Sequence, residues 1–166
     1  FDVIISKEKI EERIEELANQ ISIDFGKEPL VVIGVLKGSF IFFSDLIRKL
    51  KGDIYCEFYG LRHYKDHSGV SGEVFTTTDI TEPIEGKNVL VVEDIVQTGI
   101  TINYIMRTLR ARLPKKIKSC CLISKEENVS EINYVGFVVK DKFCAGFGID
   151  FNEKYRNLPF IGSIHN

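Results

Sequence analysis

Apolar positions change their period along the chain, and each change marks an element. Ile10, Ile14, Leu17, Ile21 and Phe25 recur at helical spacing, with Ser6 placed to cap the start and Gly26 to end the run, so an amphipathic helix is expected there. Leu30 to Val35 is a short, continuous apolar run rich in β-branched residues, the pattern of a strand covered on both faces. A tight loop at Lys37-Gly38-Ser39 and a helical stretch from Phe40 to Leu50 come next. Ile54 to Tyr59 and Val74 to Thr78 read as strands. Between them Gly60 to Glu73 is polar, holds three glycines and has no apolar period, which predicts a mobile hairpin loop. Val89 to Val92 is a second buried strand, Thr101 to Leu113 has helical character stopped by Pro114, and Ile117 to Ile123 is another strand. From Tyr134 onward, short strands at Val135 to Val139 and Gly146 to Phe151 mix with loops. Strand, helix, strand in alternation predicts an α/β fold: a doubly wound parallel sheet flanked by helices.

Composition narrows the class. With 166 residues and 44% apolar content, the chain is the right size for one domain over residues 1–166, burying roughly two-thirds of its unfolded surface. Its 22 basic and 24 acidic residues leave a net charge of −2 without blocks, and no basic, aromatic-rich segment is present. Nucleic acid and anionic membranes are therefore not expected as partners, and a small molecule is. No apolar run approaches the roughly 20 residues of a spanning helix, and no basic-then-apolar leader is seen. Cys56, Cys120, Cys121 and Cys144 form no C-x-x-C pair, so reduced thiols and a cytoplasmic location are expected. Since the numbering starts at Phe1 and Met106 is the sole methionine, the initiating residue is expected to precede it.

The chemistry concentrates in Val89 to Thr101, VLVVEDIVQTGIT. Ligands of an open parallel sheet bind beyond the carboxyl ends of its strands, where the chain turns into a helix. Glu93 and Asp94 stand directly after the strand, and two such carboxylates need a cation or hydroxyl donors, which a sugar supplies. Thr98-Gly99-Ile100-Thr101 then places a glycine and two hydroxyls at a helix start, whose unpaired N–H groups favour a phosphate. Taken singly, the acids read as a solvated strand end and Thr98 as a helix cap; taken together, they describe a ribose phosphate site.

An apolar strand followed by Val-Glu-Asp-Ile-Val-x-Thr-Gly-x-Thr resembles the signature of type I phosphoribosyltransferases, and further details resemble the 6-oxopurine, hypoxanthine-guanine branch. The resemblance extends over nearly the whole chain. It implies Mg2+-dependent transfer of the phosphoribosyl group from 5-phosphoribosyl-1-pyrophosphate (PRPP) to hypoxanthine or guanine, giving IMP or GMP and pyrophosphate. It also implies a small hood from the N- and C-terminal segments, a lid at about 60–73 and a homodimer or homotetramer. By position, Glu93 and Asp94 would hold the ribose, and Gln97, Thr98, Gly99, Ile100 and Thr101 would cradle its 5-phosphate. Lys37 and Gly38 match the pyrophosphate loop, Arg156 the pyrophosphate clamp, and Tyr64 the lid tyrosine. Lys125 matches the lysine that donates to the purine 6-oxo group, a choice that excludes a 6-amino group. Phe143 matches the stacking aromatic, the backbone at Cys144 the reader of the ring edge, and Asp150 a largely water-mediated Mg2+ ligand, with Glu93 and Asp94 as further candidates.

One position departs from the pattern. Gln97 stands where the family carries the aspartate held to take the proton from purine N7, and an amide has no proton acceptor that titrates near neutrality. Such assistance is typically worth about 10²- to 10⁴-fold in rate. The departure supports a rival, a regulatory protein that senses PRPP or nucleotide with weak or no turnover. Against that rival, Lys37, Lys125, Phe143, Asp150 and Arg156 are all in place. A nicotinamide-dependent oxidoreductase would need a G-x-G-x-x-G after a strand, which the chain lacks.

Overall fold

The computed structural model describes residues 2–63, 74–129, 131–140 and 142–165. The first helix, α1 (Lys7–Phe25), forms where the apolar spacing predicts it. The Ser6 hydroxyl accepts the Lys9 N–H at 3.2 Å, and the Gly26 N–H returns to the Ser22 carbonyl. Its buried face is Ile10, Ile14, Leu17, Ala18, Ile21 and Phe25. Each of the larger side chains contributes about 1.5–3 kcal/mol by leaving water.

The central sheet is built from β2 (Leu30–Leu36), β3 (Ile54–His63), β4 (Val74–Thr78), β5 (Asn88–Val96), β6 (Lys116–Ser124) and β7 (Tyr134–Val138). Its order is β4-β3-β2-β5-β6-β7, and every pair is parallel except β3 with β4. The inner strands alternate between two cores. Leu30, Val32, Leu90 and Val92 pack toward α1 and α2 (Phe40–Ile47). Val31, Ile33, Val35, Val89 and Val91 pack toward α3 (Ile100–Arg110), which contributes Ile102, Ile105, Met106 and Leu109. Both faces are covered, which explains why these strands are apolar throughout.

The chain winds in two directions from the middle of the sheet. From β2 it crosses by α2 to β3, and from β5 it crosses by α3 to β6 on the other side. Right-handed crossovers in opposite directions put α2 and α3 on opposite faces and open a crevice between the ends of β2 and β5. The expected doubly wound sheet is present. A second, antiparallel sheet of order β1-β9-β8 joins the two ends of the chain, from β1 (Asp2–Ile5), β8 (Phe143–Ala145) and β9 (Ile161–Ile164). Among the described residues, no helix is long and apolar enough to cross a membrane.

Several expected boundaries shift. The helix expected to Leu50 ends at Ile47, and the one expected over Thr101 to Leu113 spans Ile100–Arg110. Residues 60–63 belong to β3, since Gly60 to His63 pair with β4, which corrects the loop expected from Gly60; residues 64–73, with Tyr64 and the rest of the expected lid, lie outside the described residues. Glu93 and Asp94 belong to β5 rather than following it, since pairing with β6 continues to Val96. Gly146 to Phe151 is a turn with isolated bridges, not a strand: positive φ angles at Gly146, Phe147 and Gly148 break the extended path. The strands β1 and β9 were not expected, because each is too short to show a period.

Candidate active site

Leu36 leads through Lys37 and Gly38 into α2, and Val96 leads through Gln97 to Gly99 into α3. Because β2 and β5 pair directly, with Gly34 opposite Val92, the two turns stand side by side at the switch point. The Leu36–Lys37 peptide bond is cis. A Cβ on Gly38 would lie 1.8 Å from Asp94 Oδ2, so only glycine lets the loop pass this close to the carboxylate. Behind it, a Cβ on Gly148 would lie 2.3 Å from the Gly38 carbonyl oxygen. The Gly38 loop is thus held between the end of β5 and the turn before Asp150.

Strand alternation divides the two carboxylates. Glu93 continues the Val89 and Val91 side, toward α3, and is buried; Asp94 continues the other side, half-buried, against Gly38. Glu93 accepts the Asp94 N–H at 3.1 Å, and no cation pairs with it among the described residues. Burial first, and the Asp94 charge second, push its carboxyl well above the ordinary value of 4.5. A carboxylate held this way is favoured by hydroxyl donors brought by a ligand.

Beside Glu93 opens a cavity of about 310 Å³, lined also by Val96, Gln97, Thr98, Gly99 and Thr101. Gly99, at φ +85°, is the N-cap of α3 and supplies no side-chain cap, so the left-handed turn aims the first N–H groups of the helix at the cavity. That turn costs a residue with a Cβ about 1–2 kcal/mol. The cap is Gly99 rather than Thr98, and the helix N-terminus is suited to a phosphate. A wider groove of about 1020 Å³ lies at the opposite, amino end of the sheet, where Glu28, Tyr55, Ile84 and Asn88 line it. Size does not decide between them: the smaller cavity lies at the carboxyl end of the parallel strands, where the turn from β5 enters α3.

On the other flank of the crevice, basic and acidic groups interlock. Lys37 Nζ lies 2.9 Å from Glu153 Oε2, and Arg156 Nη2 lies 3.3 Å from Glu153 Oε1 and 3.5 Å from Asp150 Oδ1. Arg156 Nη1 also donates to the Gly148 carbonyl at 2.8 Å, and the Glu153 N–H donates to Asp150 Oδ2 at 2.9 Å. The turn holding them has φ +51° at Asn152, +65° at Glu153 and +76° at Tyr155. The hydrogen bond from Lys37 first, then the charge of Arg156, holds the Glu153 carboxyl below 4.5. Glu153 is not among the site residues that the sequence points to. The available signal was its place three residues before Arg156 in an acidic turn, which says nothing of Lys37.

The third cluster sits at the end of β6. The Lys125 N–H donates to the Val96 carbonyl at 2.9 Å, which fixes Lys125 beside the end of β5. Its ammonium donates to the Lys142 carbonyl and lies 3.8 Å from Cys144 Sγ. Phe143, 66% exposed at the start of β8, presents an open ring, and Cys144 is buried. Burial raises the Cys144 thiol despite the opposing Lys125 charge, which disfavours the reactive thiolate. The sequence-selected groups therefore come together in three patches around one crevice: Lys37, Gly38, Asp150 and Arg156; Glu93, Asp94 and Gln97 to Thr101; and Lys125, Phe143 and Cys144. Tyr64 lies outside the described residues.

Comparison with known proteins adds to this geometry. Residues 3–152 match the model of the phosphoribosyl transferase domain family. The chain is 36% identical to hypoxanthine-guanine phosphoribosyltransferase of Dictyostelium discoideum over 98% of this chain and 94% of that protein. It is 38% identical to the bifunctional protein TilS/HprT of Listeria innocua, over 98% of this chain but only 26% of that longer protein. The crystal structure of a hypoxanthine-guanine phosphoribosyltransferase from Bacillus anthracis superposes with a TM-score of 0.92 at 43% identity, covering 99% of both chains.

Proposed function

The chain belongs to the phosphoribosyltransferase family, and from that premise we propose that PRPP and a 6-oxopurine are its substrates, with IMP or GMP and pyrophosphate as products. It is an enzyme, a transferase of purine salvage, and the sensing alternative finds no support among its relatives. One observation supports the site reading: the close approach of Gly38, in the loop we assign to pyrophosphate, to the carboxylate of Asp94, which we assign to the ribose.

In this reading the 5-phosphate sits at the N-terminus of α3, and Glu93 and Asp94 accept hydrogen bonds from the ribose hydroxyls. As the bond from C1 to pyrophosphate lengthens, positive charge grows on the ribose and negative charge on the leaving group. Asp94 favours the first, and Lys37 and the Arg156 fork favour the second. Lys125 donates to the purine 6-oxo oxygen, and Phe143 stacks on the ring, worth about 1–3 kcal/mol. Purine N9 bonds to C1 as pyrophosphate leaves; Gln97 orients the purine edge through its amide but cannot take the N7 proton at neutral pH, so that proton passes to solvent water.

Magnesium fits the donor set. Asp94 and Asp150 offer hard, half-buried oxygens, and no group of three His, Cys, Asp or Glu forms a cage among the described residues, so the substrate's oxygens would complete the coordination. Bound there, the ion would neutralise diphosphate charge. We place the enzyme in the cytoplasm, in keeping with its four free cysteines. We take residues 1–166 as one domain with the β1-β9-β8 sheet as its hood. We also take it to act as a homodimer or homotetramer, for which exposed Phe40, Tyr55 and Phe58 offer apolar surface.

The test is a spectrophotometric assay with Mg2+ and PRPP. Hypoxanthine and guanine should be consumed and adenine ignored. No consumption of either 6-oxopurine, with PRPP still bound in calorimetry, would overturn the reading.

A further inference from the structure

Lys37 and Arg156, assigned above to pyrophosphate, are not waiting bare: one carboxylate bridges them. Glu153 Oε2 stands 2.9 Å from Lys37 Nζ and Oε1 stands 3.3 Å from Arg156 Nη2. We propose that Glu153 is a built-in competitor for the diphosphate, holding the two cations in place until the substrate arrives and reclaiming them when pyrophosphate leaves. The proposal rests on the assignment of Lys37 and Arg156 to the diphosphate.

The geometry supports displacement rather than permanent pairing. The Glu153 side chain is 65% exposed, and that of Lys37 69%, so their ion pair is screened and weak and the carboxylate has open solvent to swing into. Its backbone need not follow. The Glu153 N–H is tied to Asp150 Oδ2, and the neighbouring residues Phe151 and Lys154 hold a bridge of their own. A diphosphate carries more charge than one carboxylate and matches the guanidinium fork, so it wins the cations. Its like charge then expels Glu153. Arg156 keeps its bond to the Gly148 carbonyl throughout and stays aimed at the crevice. Glu153 is thus a positioning residue that weakens pyrophosphate binding and aids its release.

The test measures magnesium pyrophosphate binding by calorimetry on the full chain, beside IMP binding and the thermal midpoint. Glu153→Gln should bind pyrophosphate about two- to tenfold tighter, the range of one or two exposed ion pairs, with IMP affinity unchanged. A merely structural role would leave pyrophosphate affinity the same or weaker. Either result, at a wild-type midpoint, overturns the proposal. Should Glu153→Gln lower the midpoint, Glu153→Asp, which keeps the charge but shortens its reach, must also tighten pyrophosphate, and failure to do so overturns it. Lys37→Ala and Arg156→Ala separate the two readings: if neither weakens pyrophosphate, the clamp assignment itself falls; if both do and Glu153→Gln does not tighten it, only the competitor role falls.

Discussion

Replacing Gly38 by alanine tests the contact on which the site reading rests. The new Cβ would sit 1.8 Å from Asp94 Oδ2 and 2.6 Å from its Cγ, whereas real contacts essentially never fall under 3.0 Å. The carboxylate or the loop must therefore move by about 1.2 Å. The loop cannot simply withdraw, because its carbonyl oxygen is backed by Gly148 Cα, where even an added Cβ would come within 2.3 Å. Overpacking of this kind costs about 1–3 kcal/mol, and displacing a reactive-site group by about 1 Å costs roughly 10²-fold in rate. Gly38→Ala should lower kcat/KM for PRPP about 10²-fold and the thermal midpoint by about 2–12 °C. Steady-state kinetics at varied PRPP and thermal melts provide both numbers. In an Asp94→Ala background the clash is gone, so adding Gly38→Ala should then cost much less, a coupling of about 0.5–3 kcal/mol. Wild-type kcat/KM and midpoint in Gly38→Ala, or strictly additive losses in the double variant, would refute the contact.

Lys125→Ala should lower kcat/KM for hypoxanthine by about 10- to 150-fold, the worth of a hydrogen bond from a charged donor, while PRPP affinity measured by calorimetry stays the same. For Glu93, burial raises the folded carboxyl above its unfolded value near 4.5, so the folded state binds the extra proton and stability falls as pH rises above that value. Without ligand, Glu93→Gln should therefore melt higher than the parent at pH 7, with the gap closing below about pH 4.5; a gap independent of pH would refute the burial argument. Gln97→Asp should raise kcat, within the 10²- to 10⁴-fold span typical of general base catalysis, if the missing base limits turnover; an unchanged or lower kcat refutes that account.

The sequence carried both the sheet and much of the site because both are encoded locally. Continuous β-branched runs at Leu30 and Val89 specify strands buried on both faces, and the helical spacing from Ile10 to Phe25 specifies the helix that covers one of them. The proximity of Glu93, Asp94 and the turn at Gly99 was legible, because a strand end, two acids and a helix start lie within a dozen residues, and on it rests the proposed ribose phosphate site. Three things were not legible. The strands β1 and β9 pair across almost the full length of the chain, and four-residue segments have no period to read. The division of Glu93 from Asp94 onto opposite faces follows from β5 continuing to Val96, which its pairing with β6 decides. The bridge from Lys37 to Arg156 through Glu153 joins residues more than a hundred positions apart. Local spacing fixes which groups are present and which face of an element they take, but contacts between distant segments exist only once the sheet has packed and its crossovers have brought those turns to the same crevice.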